Sequence, residues 1–176
     1  GVDIVSLMLD IAQGDPLSFQ QEDILPNRWA LEVRLNAEDP ATFSPSFGNI
    51  SRLHLNLYPG ARVSQGVYEG SEIPPYYDSL VMLLMTTGPD RETAIMKMDS
   101  ILCRNLRVEG VKTLAPLLLS IIRHRDFIRG DFSTRFIEEH MDELVSMFPE
   151  GDSEEDVLKI ARYVAEISAL GTPNWI

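Results

Sequence analysis

The sequence predicts an α+β domain in which helices pack on an antiparallel sheet. Strand-like patterns, either alternating or continuously apolar, lie between residues 29 and 85, and most helical patterns follow residue 90. This order favours segregated strands and helices over alternating βαβ units. Hydrophobic residues make up 44% of the 176 residues, so a chain of this length can bury a core without disulfides or metals.

The first half of the chain is predicted to contain one helix and several strands. A helix is expected over residues 3–12, where apolar residues recur at helical spacing before Gly14. Strict alternation predicts half-buried strands over residues 29–35 and 52–57. Pro59-Gly60 is expected to turn the second of these into a hairpin that runs through residues 62–68.

The second half begins with a continuously apolar segment, residues 80–85, which predicts a central strand covered on both faces. A helix capped by Asp90 should follow, and residues 107–109 should return as a short strand. Further helices are predicted over residues 114–122, 134–147 and, from a capping box at Ser153, 153–167.

Charge and composition exclude several classes of function. The net charge is −12, and nine of the acidic residues lie between Glu138 and Asp156, where there is no Lys or Arg. The only basic cluster, Arg123, Arg125, Arg129 and Arg135, has no aromatic ladder beside it, so we expect no nucleic-acid binding. No apolar run approaches the ~20 residues of a membrane span. With one cysteine and no visible signal peptide, the chain is expected to be a soluble cytoplasmic protein.

Searching for self-contained chemistry yields little. The three histidines, His54, His124 and His140, lie far apart and in no metal-binding spacing, so no metal site is predicted. Cys103 follows the apolar stripe of a predicted helix, which favours a small buried or half-buried thiol over a nucleophile. No phosphate-binding glycine loop or nucleophile elbow is present.

Arg34 is the most informative single side chain. It lies on the polar face of a predicted strand, between Glu32 and Asn36. One interpretation is an exposed ion pair that contributes 0–1 kcal/mol at most, on the order of a typical surface pair. The other is a rigidly presented guanidinium directed at an anion or a developing oxyanion. Spacing alone leaves both open.

The segment EVRLNAEDP, residues 32–40, resembles the ECRINAEDP signature of biotin carboxylases. Further matches occur in that family's order and together reach residue 140. They are GVDIV (1–5), IAQG (11–14), GVYEG (66–70), IPPYYDS (73–79), GPDRE (88–92), RVEGVKT (107–113) and GDFSTRF (130–136). Each match is weak alone, but so many matches in the family's order are very improbable by coincidence.

The resemblance implies the C-terminal domain of the biotin carboxylase component of an acyl-CoA or pyruvate carboxylase. Family members are ATP-grasp ligases that use MgATP and bicarbonate to carboxylate biotin on a carrier. Arg34 matches the signature arginine that approaches the biotin ureido group, so the resemblance makes it the catalytic and biotin-binding residue. The family's metal-binding glutamates and ATP lid lie upstream of the GVDIV segment. The chain is therefore expected to be an inactive piece of a larger enzyme, with no cofactor bound by itself.

The resemblance also implies domains and partners. Residues 1–145 are expected to form the biotin carboxylase C-terminal domain, with residues 1–14 as the helix leading into it. Residues 146–176 are expected to form an acidic connector, a helix and a linker. The implied partners are the biotin carboxyl carrier domain, the N-terminal and ATP-grasp parts of the same enzyme, the carboxyltransferase component, and a second copy in a homodimer.

Three departures from the family pattern support an alternative interpretation. Leu83 replaces the family lysine after YYDS, Phe47 replaces the proline of PSPG, and the glycine-rich turn is reduced to residues 57–60. The alternative is a carboxylase-derived module without catalysis, which acts in assembly or dimerisation.

Overall fold

The structure is a computed structural model that describes residues 2–148. Within this range the chain forms five α-helices and seven β-strands. The helices are α1 Ile4–Gln13, α2 Arg91–Ser100, α3 Ala115–Arg123, α4 Arg125–Arg129 and α5 Phe136–Ser146. The strands are β1 Trp29–Asn36, β2 Gly48–Asn49, β3 Arg52–Leu55, β4 Ala61–Gln65, β5 Glu72–Ile73, β6 Leu80–Gly88 and β7 Leu106–Glu109.

The strands form three small antiparallel sheets, which confirms the α+β class. The largest has the order β1-β6-β4, so the apolar strand β6 is central, as its sequence predicts. Two-stranded sheets are formed by β2 with β5 and by β3 with β7. β7 is the short return strand that the sequence predicts.

The main core lies between the three-stranded sheet and α2. Val33 and Leu84, which are cross-strand partners, belong to the same buried cluster as Ile95 and Met98 of α2. Thr86 continues this face of β6, and its hydroxyl donates a hydrogen bond to the carbonyl of Ala94 in α2 at 2.8 Å. A smaller core between α3 and α5 contains the buried residues Leu117, Phe136 and Leu144.

α1 forms where the sequence predicts a helix. The Asp3 side chain accepts the N–H of Ser6 at 3.0 Å, which caps the helix start. Gly14 ends the helix in the left-handed conformation at φ 93°. None of the helix's residues is buried, although Ile4, Val5 and Met8 are among several large apolar side chains on it.

The predicted hairpin after residue 59 is wrong. The turn exists, since the N–H of Ala61 bonds to the carbonyl of Tyr58 at 2.9 Å, but it leads from one sheet to another. β4 pairs with β6, whereas β3 pairs with β7. The central strand β6 forms backbone hydrogen bonds along both of its edges, to β1 on one side and to β4 on the other. Residues 66–68 form no strand.

Two smaller predictions also need correction, and one short helix is unexpected. β6 is fully covered on one face only, because α2 packs there while Leu83 and Met85 on the other face are half-buried. Cys103 is exposed, not buried or half-buried, since the predicted helix ends at Ser100 and continues as a π-helical turn, Ile101–Asn105. The short helix α4 has no counterpart in the sequence prediction.

Residues 149–176, which hold most of the predicted acidic connector and the predicted helix from Ser153, lie outside the described residues. Among the residues that are described, no helix is long and apolar enough to cross a bilayer.

The glycine that follows β7 gives a stability prediction. Gly110 has φ 97°, and a Cβ there would collide with the backbone carbonyl of Asn49. Gly130 has a similar φ of 80° but open space around it. Gly110→Ala and Gly130→Ala share the positive-φ cost of about 1–2 kcal/mol. Gly110→Ala should lower the free energy of unfolding by a further ~1–3 kcal/mol. Urea denaturation measures both, and equal losses would contradict the close backbone approach.

Candidate functional site

Arg34 lies in the second half of β1 with its side chain exposed. Its chain neighbours Val33 and Leu35 point into the core, at 6% and 0% exposure. On β6 its cross-strand partner is Leu83. Because buried residues on both sides and a paired strand hold the backbone, the guanidinium is presented outward from a rigid element.

Six residues share the outward face of the three-stranded sheet around this position, and we call this surface the arginine face. Across the strands, Arg34, Leu83 and Ser64 form one row. Glu32, Met85 and Arg62 form the next row. The polar members are exposed, and Leu83 and Met85 are half-buried. The surface therefore has a partly apolar centre line with charged side chains on either side.

The exposed ion pair considered for Arg34 is not formed. Within residues 2–148, its guanidinium makes no ion pair and no side-chain hydrogen bond, to Glu32 or to any other residue. Its donors therefore remain available to a group from outside the described chain.

The segment after Arg34 is held by a compact polar network. The Asn36 amide donates to the Glu38 carboxylate at 3.0 Å and lies 3.1 Å from the Ser79 hydroxyl, which also donates to Glu38. The Ala37 N–H donates to the Ser79 carbonyl at 2.7 Å. Hydrogen bonds to a charged group are stronger than neutral ones, so this network fixes the EVRLNAEDP segment against the IPPYYDS segment.

Asp39 connects the same segment to RVEGVKT. The Lys112 ammonium lies 2.7 Å from Oδ2 of Asp39, and the N–H groups of Ala41 and Thr42 each donate to Oδ1 at 3.0 Å. The hydrogen bond from Lys112, followed by those two backbone donors, lowers the pKa of Asp39 to about 2. Three matched segments that are distant in sequence therefore converge next to Arg34.

Sequence reasoning identifies Arg34 but misses its supporting residues. Asn36, Glu38, Ser79 and Lys112 receive no role from it, and their only signal is membership of the matched segments. The two aromatic residues of IPPYYDS, Tyr76 and Tyr77, are 87% and 83% exposed. The sequence likewise gives no indication that two distant histidines, His124 and His140, come into contact.

The basic cluster at residues 123–135 is predicted not to bind nucleic acid. Most of its arginines form ion pairs with acidic side chains of the described chain. Arg123 pairs with Asp99. Arg125 lies 3.5 Å from the Asp126 carboxylate, and Arg135 lies 3.4 Å from that of Glu139. These ion pairs offset the positive charge of three of the four arginines in the cluster.

The described chain is thus an α+β domain with an outward arginine on the first strand of its three-stranded antiparallel sheet. Residues 32–139 match the family described as the biotin carboxylase C-terminal domain. The chain belongs to this family.

Curated relatives agree with the match. The chain is 45% identical over 141 residues to the 2-oxoglutarate carboxylase small subunit of Hydrogenobacter thermophilus, which covers 80% of this chain and 30% of that protein. It is 42% identical over 141 residues to the biotin carboxylase of Pseudomonas aeruginosa, covering 80% and 31%. The chain thus spans less than a third of the length of these relatives.

Solved structures show the same fold. The biotin carboxylase domain dimer of the Hydrogenobacter thermophilus 2-oxoglutarate carboxylase, in complex with MgADP, ADP and bicarbonate, is 43% identical with a TM-score of 0.77. That match covers 82% of this chain and 32% of the solved one. The biotin carboxylase subunit of a pyruvate carboxylase is 39% identical with a TM-score of 0.78, covering 86% and 33%.

The depressed pKa of Asp39 predicts a pH effect. Its folded pKa lies below the unfolded value, so its stabilising contribution is present above about pH 4 and is lost as the pH falls towards 2. Lys112→Met removes the main cause of the shift. The variant should therefore lose less stability than the unmodified chain between pH 6 and pH 3, measured by urea denaturation.

The matched control is Arg28→Gln, which removes one positive charge from an exposed residue outside the helices and strands. Its stability should decline with acid in parallel with the unmodified chain. A parallel decline in Lys112→Met as well would show that the Asp39–Lys112 pair does not form.

Proposed function

We propose that this chain is the C-terminal part of a biotin carboxylase whose full-length form carboxylates biotin on a carrier, using MgATP and bicarbonate. In this proposal residues 1–145 close the active site, with residues 1–14 as the helix leading into the domain. Residues 146–176 link this domain to a further domain of the enzyme. Family membership supports the reaction class, and the outward Arg34 is the observation that carries the role of this domain.

The chemistry of the proposed site depends on the guanidinium. Arginine stays charged at all working pH values and offers planar, paired donors. Biotin, when bound on its carrier, supplies the ureido nitrogen that accepts the carboxyl group. As that nitrogen is deprotonated, negative charge grows on the ureido oxygen. Arg34 would donate hydrogen bonds to this oxygen. Because the strand already fixes the donor, little reorganisation is needed as the charge develops.

The surface of α1 supports a larger assembly. The side chains of Ile4, Val5, Met8, Leu9 and Ile11 are 54–68% exposed. A ten-residue helix is marginal in water without tertiary packing. We infer that the N-terminal and ATP-grasp parts of the enzyme cover this apolar helix. The residues that hold MgATP and bicarbonate belong to those parts in the proposal, so the chain alone is expected to bind neither.

Further partners are inferred from the same family. They are the biotin carboxyl carrier domain, the carboxyltransferase component and a second copy of the enzyme in a homodimer. A solved relative is described as a biotin carboxylase domain dimer, which supports the last of these. A cytoplasmic location is part of the proposal.

Leu83 favours a second candidate, a non-catalytic assembly or dimerisation module. It replaces the lysine of the family pattern and lies directly opposite Arg34 on the arginine face. Lysine there would add a second positive charge beside the guanidinium, and leucine leaves apolar surface. An apolar centre line of this kind suits contact between proteins as well as a catalytic wall.

Arg34→Ala in the full-length enzyme tests the catalytic proposal. Removing one preorganised donor to a developing oxyanion should lower kcat for biotin carboxylation by about 100- to 1000-fold. Bicarbonate-dependent ATP cleavage should be less affected, because it does not require charge to develop on biotin. Arg34→Lys should restore only part of the activity, since an ammonium lacks the planar fork.

Arg52→Ala is the control, because Arg52 is exposed on a different sheet and lies 3.7 Å from Glu109. It should keep activity within about twofold, as surface pairs contribute little. Full carboxylation by Arg34→Ala would exclude the catalytic role and leave the assembly module as the better interpretation.

The chain by itself should show no bicarbonate-dependent ATP hydrolysis, because the proposed nucleotide-binding residues lie outside it. A coupled assay for ADP release measures this directly. ATP hydrolysis that persists through purification would contradict the proposal that the nucleotide-binding residues lie in other parts of the enzyme.

A further inference from the structure

A cluster of metal-binding side chain types lies between the α3–α4 junction and α5. His124 precedes α4, and His140 lies on α5 with its ring centroid 4.6 Å from that of His124. Phe136 contacts both rings, at centroid distances of 5.1 and 4.9 Å. Asp126 and Glu143 border the pair. One ligand atom each from His124, Asp126 and His140 lie within 4.8 Å of one another.

The His124 imidazole is the buried member of this cluster, only 1% exposed. Its Nδ1 accepts the N–H of Asp126 at 3.2 Å, which caps α4. Its Nε2 is buried, and no residue of the described chain makes a well-aligned hydrogen bond to it. A buried polar atom without a partner costs free energy, so it calls for a ligand or another explanation.

The open nitrogen is directed at Glu143. Nε2 of His124 lies 3.3 Å from Oε2 of Glu143, and Nδ1 of His140 lies 3.6 Å from the same oxygen. One carboxylate oxygen of Glu143 therefore lies near a ring nitrogen of each histidine.

These separations suit tetrahedral zinc. Bond lengths of 2.0–2.2 Å from Zn²⁺ to nitrogen and oxygen place neighbouring ligands about 3.3–3.5 Å apart. The separations of Glu143 Oε2 from the two histidine nitrogens, 3.3 and 3.6 Å, lie close to that range. A ligand set of imidazole and carboxylate also favours zinc over magnesium or calcium, which prefer oxygen ligands.

We propose that His124 Nε2, His140 Nδ1 and the Glu143 carboxylate bind one Zn²⁺, with water in the fourth position and Asp126 orienting His124. Coordination through Nε2 needs the proton of the neutral ring on Nδ1. The ring then gives up the hydrogen bond from the Asp126 N–H and donates to the Asp126 carboxylate, whose Oδ2 lies 3.9 Å away. A histidine that binds zinc usually donates its other N–H to a carboxylate or carbonyl in this way.

The metal would act as a structural link. The smaller core that α5 shares with α3 has three buried apolar residues, so α5 gains little from burial alone. A zinc ion held from both sides would fasten α5 to the segment that joins α3 and α4. Because Glu143 lies in the last turn of α5, this link would also fix the C-terminal end of that helix.

Zinc binding to the full 176-residue chain tests the proposal. The chain is stripped with a chelator, dialysed against ZnCl₂ and analysed for bound metal, and its thermal midpoint is recorded with and without Zn²⁺. We expect one zinc per chain and a higher thermal midpoint, because a ligand bound only by the folded state stabilises it.

Variants identify the site. His140→Ala and Glu143→Gln should each weaken zinc binding by at least about 100-fold, and Asp126→Asn by about 10- to 100-fold as an orienting residue. His54→Ala is the matched control and should change nothing, because His54 is exposed on β3 and bonds to Asn56. His124 itself is left intact, because its burial would confound loss of binding with loss of folding.

Two outcomes would overturn the proposal. The first is an unmodified chain that binds no stoichiometric zinc, in which case Glu143 acts only as a hydrogen-bond acceptor between two histidines. The second is zinc binding that His140→Ala leaves unchanged, which would place the metal elsewhere on the acidic surface.

Discussion

The antiparallel pairing of β1 with the central strand β6 is the interaction on which the rest of the structure depends. Alternation along β1 sends Val33 and Leu35 into the core against α2. The same alternation places the Arg34 side chain on the opposite face of the sheet. A slip of one residue would bury the guanidinium and expose the leucine, so the hydrophobic pattern that stabilises the domain also determines the direction of the Arg34 side chain.

The surroundings of Arg34 are as constrained as its direction. Glu38 and Asp39, which come soon after it in the chain, are held by Ser79 and Lys112 from two other segments. These bonds explain why the matched segments, scattered over some eighty positions, act as one structural unit. They also leave the arginine as a charged group without a partner in the described chain, beside the half-buried Leu83.

The sequence predicted much of this and failed where partners are chosen over long range. Periodicity located β1 and α2, and apolar runs located β6 and α3, because each element buries apolar side chains. It could not predict that β4 pairs with β6 and not with β3. The sequences of β3 and β4 both alternate, and the turn at Pro59 between them is compatible with a hairpin. It could not bring His124 and His140 together either, because their contact depends on how α5 packs. The role of Arg34 required the family resemblance, because an exposed arginine in an alternating strand is compatible with several functions.

The most direct measurement is a structure of the full-length enzyme with biotin bound on its carrier. The proposed role predicts that the Arg34 guanidinium lies within about 3 Å of the ureido oxygen, at hydrogen-bonding distance. It also predicts that polypeptide from outside the described residues forms the other walls of that pocket. The proposal would be contradicted by a structure in which Arg34 is covered by another segment of the enzyme while biotin binds elsewhere.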